Sequence, residues 1–315
     1  MTFKLVKDHT SIDFLSPVRR RIAVVISIVA IGISIASFAT RGLDLGIDFT
    51  GGVLLEVGYP QSADLDRIRQ LLSAEGFEEV QVQRFGADTD VMVRLPPQEG
   101  ADPNAIRDQL RNALAADNPG VELRRVEFVG PQIGEELTEQ GGLAMLFALL
   151  MIFAYVMLRF QWKFAAGAVA ALIHDVIITI GFFSVFQFPF DLTVVAAVLA
   201  VVGYSLNDTV VAFDRIRENF LKLRGTTSES SMNTSLNDVL ARTIVTGMTT
   251  LLVLVALYIL GGESVKSFSL ALIVGIIVGT YSSIYTASAT ALMLDVTPQD
   301  LLPPEEDSEL VDDLP

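Results

Sequence analysis

Six long apolar runs, separated by polar stretches, occupy 22–40, 141–158, 164–186, 192–213, 243–260 and 268–294 of this chain. Each is long enough to cross a hydrocarbon core as a helix, which takes roughly 17–25 residues. The pattern therefore predicts six membrane spans. The second is short and opens on Gly141-Gly142. The first has too long a leading segment and too long an apolar stretch for a cleavable signal peptide. It reads as an uncleaved anchor, although Ser37-Phe38-Ala39 offers a small-x-small step.

One long polar segment, 41–140, separates the first span from the second, and its pattern is that of a folded domain. Residues 52–59, 80–85, 91–95 and 121–129 read as strands. Residues 63–74, opened by Ser62, and 103–115, opened by Asp102, read as helices. The order β-α-β-β-α-β is that of a ferredoxin-like split βαβ unit, a fold with too many uses to identify a function. The expected fold is thus a polytopic α-helical membrane protein with an α+β external domain between helices 1 and 2. Its parts are a terminal segment 1–21, a first helix 22–40, the domain 41–140, helices 2–6 within 141–294, and a tail 295–315.

Charge adds orientation. Arg19, Arg20 and Arg21 precede the first span, Arg159 and Lys163 flank the turn after the second, and Arg215, Arg217, Lys222 and Arg224 follow the fourth. The loop 187–191 has no basic residue and 261–267 has only Lys266. Basic short loops stay in the cytoplasm, so both ends are expected inside and 41–140 outside. The nine Arg of 41–140 do not oppose this, because long domains cross largely regardless of charge. The net charge of −15 argues against a nucleic-acid partner. Eight acids without a Lys or Arg make the tail 295–315 a solvated end. With no Cys, disulfides and thiol chemistry are excluded.

Ionisable groups inside spans are costly and point to function. Asp208 sits in the fourth span, on one helical face with Val201, Tyr204 and Val211. A helix-end Asp at the interface is the rival reading, but the apolar run resumes after it. Arg242, Thr246 and Thr250 recur every four residues in the fifth span. Arg242 reads either as a snorkelling anchor or as a partner for ionised Asp208. The threonines read first as hydrogen-bonding to a neighbouring helix. An arginine does not usefully deprotonate, so the acid is the expected proton carrier. His174 and Asp175 lie midway along the third span, about 100° apart on the helix, so they need not share a partner. Gly275 and Gly279 form a GxxxG step in the sixth span, read as close helix packing. No nucleophile–base pair, metal motif or phosphate loop stands out, which makes an enzyme a poor reading.

Several motifs resemble the SecD/SecF family. They are Leu45-Gly46-Ile47-Asp48-Phe49-Thr50-Gly51-Gly52 after the first span, Gly203 to Val211 with Phe213 to Asn219 in and after the fourth, Val126 to Pro131, and His174-Asp175-Val176. The fourth-span version is similar to the SecF branch, and the resemblance covers almost the whole chain apart from the tail. It implies half of an RND-superfamily transporter in the bacterial inner membrane, with 41–140 periplasmic. It further implies pairing with SecD, association with the SecYEG channel and YajC, and use of the proton-motive force to draw preproteins outward after SecA has pushed them in. Protons would be the coupling ion, with no other cofactor. The resemblance carries the proton path onto Asp208 and Arg242, with Asn207, Thr246, His174 and Asp175 as further candidates. It carries the family motif onto Gly46, Asp48, Phe49, Gly51 and Gly52. An RND-type efflux subunit and a passive assembly subunit are the rival functions.

Overall fold

The computed structural model describes residues 11–77, 79–97, 102–223, 225–262 and 265–297. Residues 1–10, Arg224 and the tail from 298 onward lie outside that set. Among the described residues, six helices are long and apolar enough to cross a membrane. They are α1 (Pro17–Arg41), α5 (Pro131–Arg159), α6 (Trp162–Phe186), α7 (Leu192–Lys222), α8 (Ser228–Leu260) and a final interrupted helix. That last span runs as α9 (Lys266–Ser282), a π-helical turn (Ser283–Ala287) and α10 (Ser288–Met293).

Several helices outrun their apolar cores, because hydrogen bonding along a helix does not stop where hydropathy does. The helix of the second span begins at Pro131 rather than Gly141. The fourth and fifth continue as a polar hairpin, in which Arg215 Nη2 reaches Asp238 Oδ2 at 2.8 Å and Asn219 Nδ2 donates to Ser235 Oγ at 3.0 Å. The chain before α1 is strapped to this hairpin. Asn233 Oδ1 accepts from Leu15 N at 2.9 Å and Asn237 Oδ1 from Ile12 N at 2.9 Å, while Phe14 and Leu15 are buried. Helix α5 packs least: Leu146, Phe147, Leu150 and Met151 are all exposed, an apolar face suited to lipid.

Between α1 and α5 stands the sheet domain. After β1 (Asp44–Leu45) and a single turn α2 (Ile47–Thr50) come β2 (Gly52–Gly58), α3 (Leu65–Ala74), β3 (Gln81–Phe85), β4 (Ala87–Leu95), α4 (Pro103–Asp117) and β5 (Glu122–Val129). The four strands β2–β5 form an antiparallel sheet in the order β3-β4-β2-β5, which is the ferredoxin-like order. Leu55, Val57, Val91 and Val93 of the sheet pack on Ile68, Leu72 and Leu110 of the two helices. Two local expectations are corrected. Asp64, not Ser62, caps α3, accepting from Asp66 N and Arg67 N; its carboxylate is two residues closer to the first turn that needs an acceptor. Strand β4 begins at Ala87 rather than Val91, because the single Gly86, at φ +85°, already closes the hairpin.

The motif from Leu45 to Gly52 joins this domain to the bundle. Strand β1 pairs in parallel with β6 (Pro189–Phe190), which lies between α6 and α7. Gly46 N donates to Phe190 O at 2.8 Å. The Asp48 carboxylate accepts from Leu192 N at 3.0 Å, satisfying an otherwise orphaned amide at the start of α7. Gly51 and Gly52 turn the chain into β2 with φ of +70° and +116°. From the sheet side, Arg94 Nη1 reaches Asp44 Oδ1 at 2.8 Å. Asp48→Ala is expected to cost about 1 kcal/mol, the usual worth of a capping carboxylate. Thermal unfolding of the solubilised chain, with amide exchange localised to the first turn of α7, checks this.

Candidate functional site in the membrane core

Asp208 lies on α7 at the α7–α8 seam and is 6% exposed. Its Oδ2 is buried and has no hydrogen-bond partner among the described residues. Arg242, on α8, is exposed. It is near enough for its charge to act on Asp208, yet no ion pair within 4 Å joins the two among the described residues. Tyr204, one turn before Asp208, directs its hydroxyl toward Thr250 in the same seam. The seam thus holds a carboxyl group and a fixed cation that are close but, among the described residues, not paired.

The rest of the polar stripe behaves differently from the sequence expectation. Thr246 Oγ1 donates to the carbonyls of Arg242 and Thr243, and Thr250 Oγ1 donates to Thr246 O at 2.9 Å. The hydrogens of both hydroxyls are donated along their own helix, because the carbonyl one turn back is the nearest acceptor. Asn207 is exposed on α7, and no hydrogen bond joins it to Asp208 or Arg242 among the described residues.

His174 and Asp175 form a second centre on α6, 2% and 0% exposed. Despite their divergence on the helix, the two side chains meet: His174 Nδ1 lies 3.0 Å from Asp175 Oδ1. Asp175 Oδ2 accepts from Ser205 Oγ of α7 at 2.5 Å and from Ser282 Oγ of α9 at 2.7 Å. On the other side, His174 Nε2 lies 3.1 Å from Ser27 Oγ of α1. One carboxylate therefore links three helices directly and a fourth through the imidazole.

The glycines make this convergence possible. A Cβ on Gly275 would collide with the Val201 side chain, and one on Gly279 would lie 2.9 Å from Ser205 Cβ. Close approach of α9 to α7 brings Ser205 and Ser282 onto the same oxygen. Gly181 likewise lets α6 approach Ser34 of α1. The π-turn follows directly: Ser283 Oγ lies 2.9 Å from Thr209 Oγ1 and donates to Ser205 O at 3.3 Å. Such turns are rare and cluster at functional sites. Sequence reasoning gave no role to Ser27, Ser205, Tyr281 or Ser282. The run Thr280-Tyr281-Ser282-Ser283, polar in the middle of an apolar span, was the available signal.

Six spans around an ionisable core, with a ferredoxin-like domain set between the first and second, define a polytopic membrane protein of the RND half-transporter type. Residues 109–297 match the family model for the C-terminal part of the protein export membrane protein SecD/SecF, and 36–63 match the SecD/SecF GG motif. The chain is 49% identical to the protein translocase subunit SecF of Vibrio alginolyticus, covering 98% of this chain and 97% of that one. It is also 49% identical to the SecF of Pseudomonas aeruginosa, over 94% and 96%. The crystal structure of SecDF, a translocon-associated membrane protein from Thermus thermophilus, superposes with a TM-score of 0.83 at 34% identity; it covers 92% of this chain, which spans 40% of that longer one. The chain belongs to the SecD/SecF family.

Proposed function

We propose that this chain is the SecF-type subunit of a proton-driven unit that assists protein export across the bacterial inner membrane. It works beside a SecD-type chain and with SecYEG, SecA and YajC. Both ends face the cytoplasm and the sheet domain faces the periplasm, where it meets emerging preproteins. The reading is carried by the α7–α8 seam: a buried carboxylate oxygen without a hydrogen-bond partner among the described residues, within electrostatic reach of the Arg242 guanidinium. Ionised Asp208 draws Arg242 in and favours one helix packing. A proton from outside removes that attraction and favours another, and its release inward resets the unit. One charge crossing the membrane yields about 2.3 kcal/mol per 100 mV, enough to bias helix packings that differ by a few kcal/mol.

The test is complementation. The chain and its SecD-type partner are produced in a bacterium depleted of its own pair, and processing of a secreted reporter is followed. Restored processing that falls when the proton gradient is dissipated is the expected result. Restoration insensitive to the gradient would favour a passive assembly subunit, and altered drug susceptibility without restored export would favour efflux.

A further inference from the structure

Away from the ionisable core, on the side of the bundle nearer the sheet domain, α1 and α5 both lean on α6 without closing on each other. A cavity of about 440 Å³ opens between them. Ser34 of α1, Gly181 of α6 and Phe190 of β6 are its buried wall, and Ile35 and Phe38 of α1 stand exposed at its mouth. Leu45 and Phe49, from the motif that joins the sheet domain to the bundle, also line it. Apart from the hydroxyls of Ser34 and Thr138, the side chains of the wall are apolar.

Two glycines hold this space open. Gly141 and Gly142 line the cavity from α5. Gly167, Gly181, Gly275 and Gly279 each press against another part of the bundle, where a Cβ would collide. Gly141 and Gly142 do not. A Cβ on Gly141 would first meet Leu192 at 4.0 Å, and one on Gly142 would meet nothing within 4 Å. Neither has the positive φ that favours glycine. Inside a helix each costs about 0.5–1 kcal/mol relative to alanine, and neither packing nor backbone geometry accounts for that cost. Their effect is to keep side chains out of the cavity.

The size and the rim say what fits. A helix, about 10–12 Å across, takes up roughly that volume in a single turn, so a further span could only lie across the mouth. A methylene is about the size of a water, whose share of the liquid is about 30 Å³. The cavity therefore takes on the order of a dozen carbons of one extended chain. The mouth opens among exposed apolar residues, Ile35 and Phe38 on one side and Leu143 and Leu146 on the other, where the surrounding solvent is hydrocarbon. Arg41 stands on the face of α1 that carries Phe38, about 4.5 Å further along the axis. It is exposed, donates one N–H to Val185 O at 2.9 Å, and joins no ion pair within 4 Å among the described residues. A guanidinium with donors to spare, at the end of a span, suits a phosphate. We infer that the cavity holds one acyl chain of a phospholipid whose phosphate lies at Arg41. The chain fills the space against Leu45 and Phe49, so a membrane lipid is part of the seat of the sheet domain.

The test is photolabelling of the full chain in vesicles of phosphatidylethanolamine and phosphatidylglycerol. A trace of phosphatidylglycerol carries a diazirine midway along one acyl chain, and adducts are mapped by peptide mass spectrometry. Adducts are expected on Ile180 and Phe190 in the cavity at a yield at least equal to that on Leu252 and Val253, which are far more exposed on α8. Label confined to the exposed residues overturns the inference. Gly142→Leu has room for its side chain and favours the helix, so it is expected to fold. It should lower the yield on Ile180 and Phe190 several-fold and leave Leu252 unchanged; an unchanged yield in the cavity overturns the inference. The same acyl chain on a diacylglycerol, which lacks the phosphate, should label the cavity more weakly. Arg41→Gln should erase that difference. Equal labelling of the parent by both probes, or a difference that survives Arg41→Gln, overturns the phosphate contact. Cavity label should persist when a SecD-type chain is added; its loss would mean that a partner's helix covers the mouth, and overturns the lipid. None of these readouts depends on export, so a failure here is distinct from a failure of the export reading.

Discussion

Replacing Asp208 with asparagine is expected to reduce proton-dependent export to the level of a strain lacking the subunit, while the chain still accumulates and folds. The substitution keeps size and shape but removes the ability to gain and lose a proton. Folding is expected to survive because Oδ2 has no hydrogen-bond partner to lose and lies against no ion pair closer than 4 Å among the described residues. Taking a buried carboxylate to a neutral amide also lightens the desolvation cost. Stability and function should therefore separate in this variant. Thermal unfolding of the purified protein should match or exceed the parent, and reporter processing in the complemented strain should lose its response to the proton gradient. Arg242→Gln should lose the same response by removing the charge that distinguishes the two states of the acid. Parental export by Asp208→Asn would remove the acid from the mechanism.

Gly52→Ala is expected to prevent the sheet domain from folding. Gly52 has φ +116°, a region that side chains rarely adopt, and a Cβ there would run into the backbone carbonyl of Leu95 on the paired strand β4. The strained dihedral alone costs on the order of 1–3 kcal/mol. The steric term adds to it, because a carbonyl held in a sheet ladder cannot rotate away as a side-chain tip can. Total losses above about 4 kcal/mol mark this kind of backbone conflict. Loss of full-length protein from the membrane, measured by quantitative immunoblotting, is the expected outcome. Gly130→Ala is the control: its φ is −64° and nothing lies within 4 Å of the added carbon, so its level should be unchanged. Equal levels of the two variants would show that the tight turn tolerates a side chain.

The six spans were legible because lipid imposes length and apolarity on a contiguous stretch. The sheet domain was legible because its strands and helices switch periodicity. Asp208, His174 and Asp175 stood out for the same reason as the spans, as ionisable groups where few are tolerated. What the pattern could not give was partnership. The His174–Asp175 contact depends on side-chain torsions that helical spacing does not fix. The convergence of Ser27, Ser205 and Ser282 depends on glycine-mediated approach of three helices far apart in sequence. The threonine stripe misled for a related reason: periodicity places hydroxyls on a face but does not say whether they bond across it or back along it. The π-turn at Ser283–Ala287 left no trace in hydropathy at all.

The short parallel pairing of β1 with β6, with Asp48 bonded to the first amide of α7, has a mechanical consequence. The sheet domain is bolted not only to its covalent neighbours α1 and α5 but also to the corner where α6 hands over to α7. Strand β2, with 7 residues, reaches about 23 Å from that corner. The domain is thus a lever arm whose pivot is the top of the helix that carries Asp208. Tilting that helix by a small angle would move the far rim of the sheet by several times the displacement at the pivot.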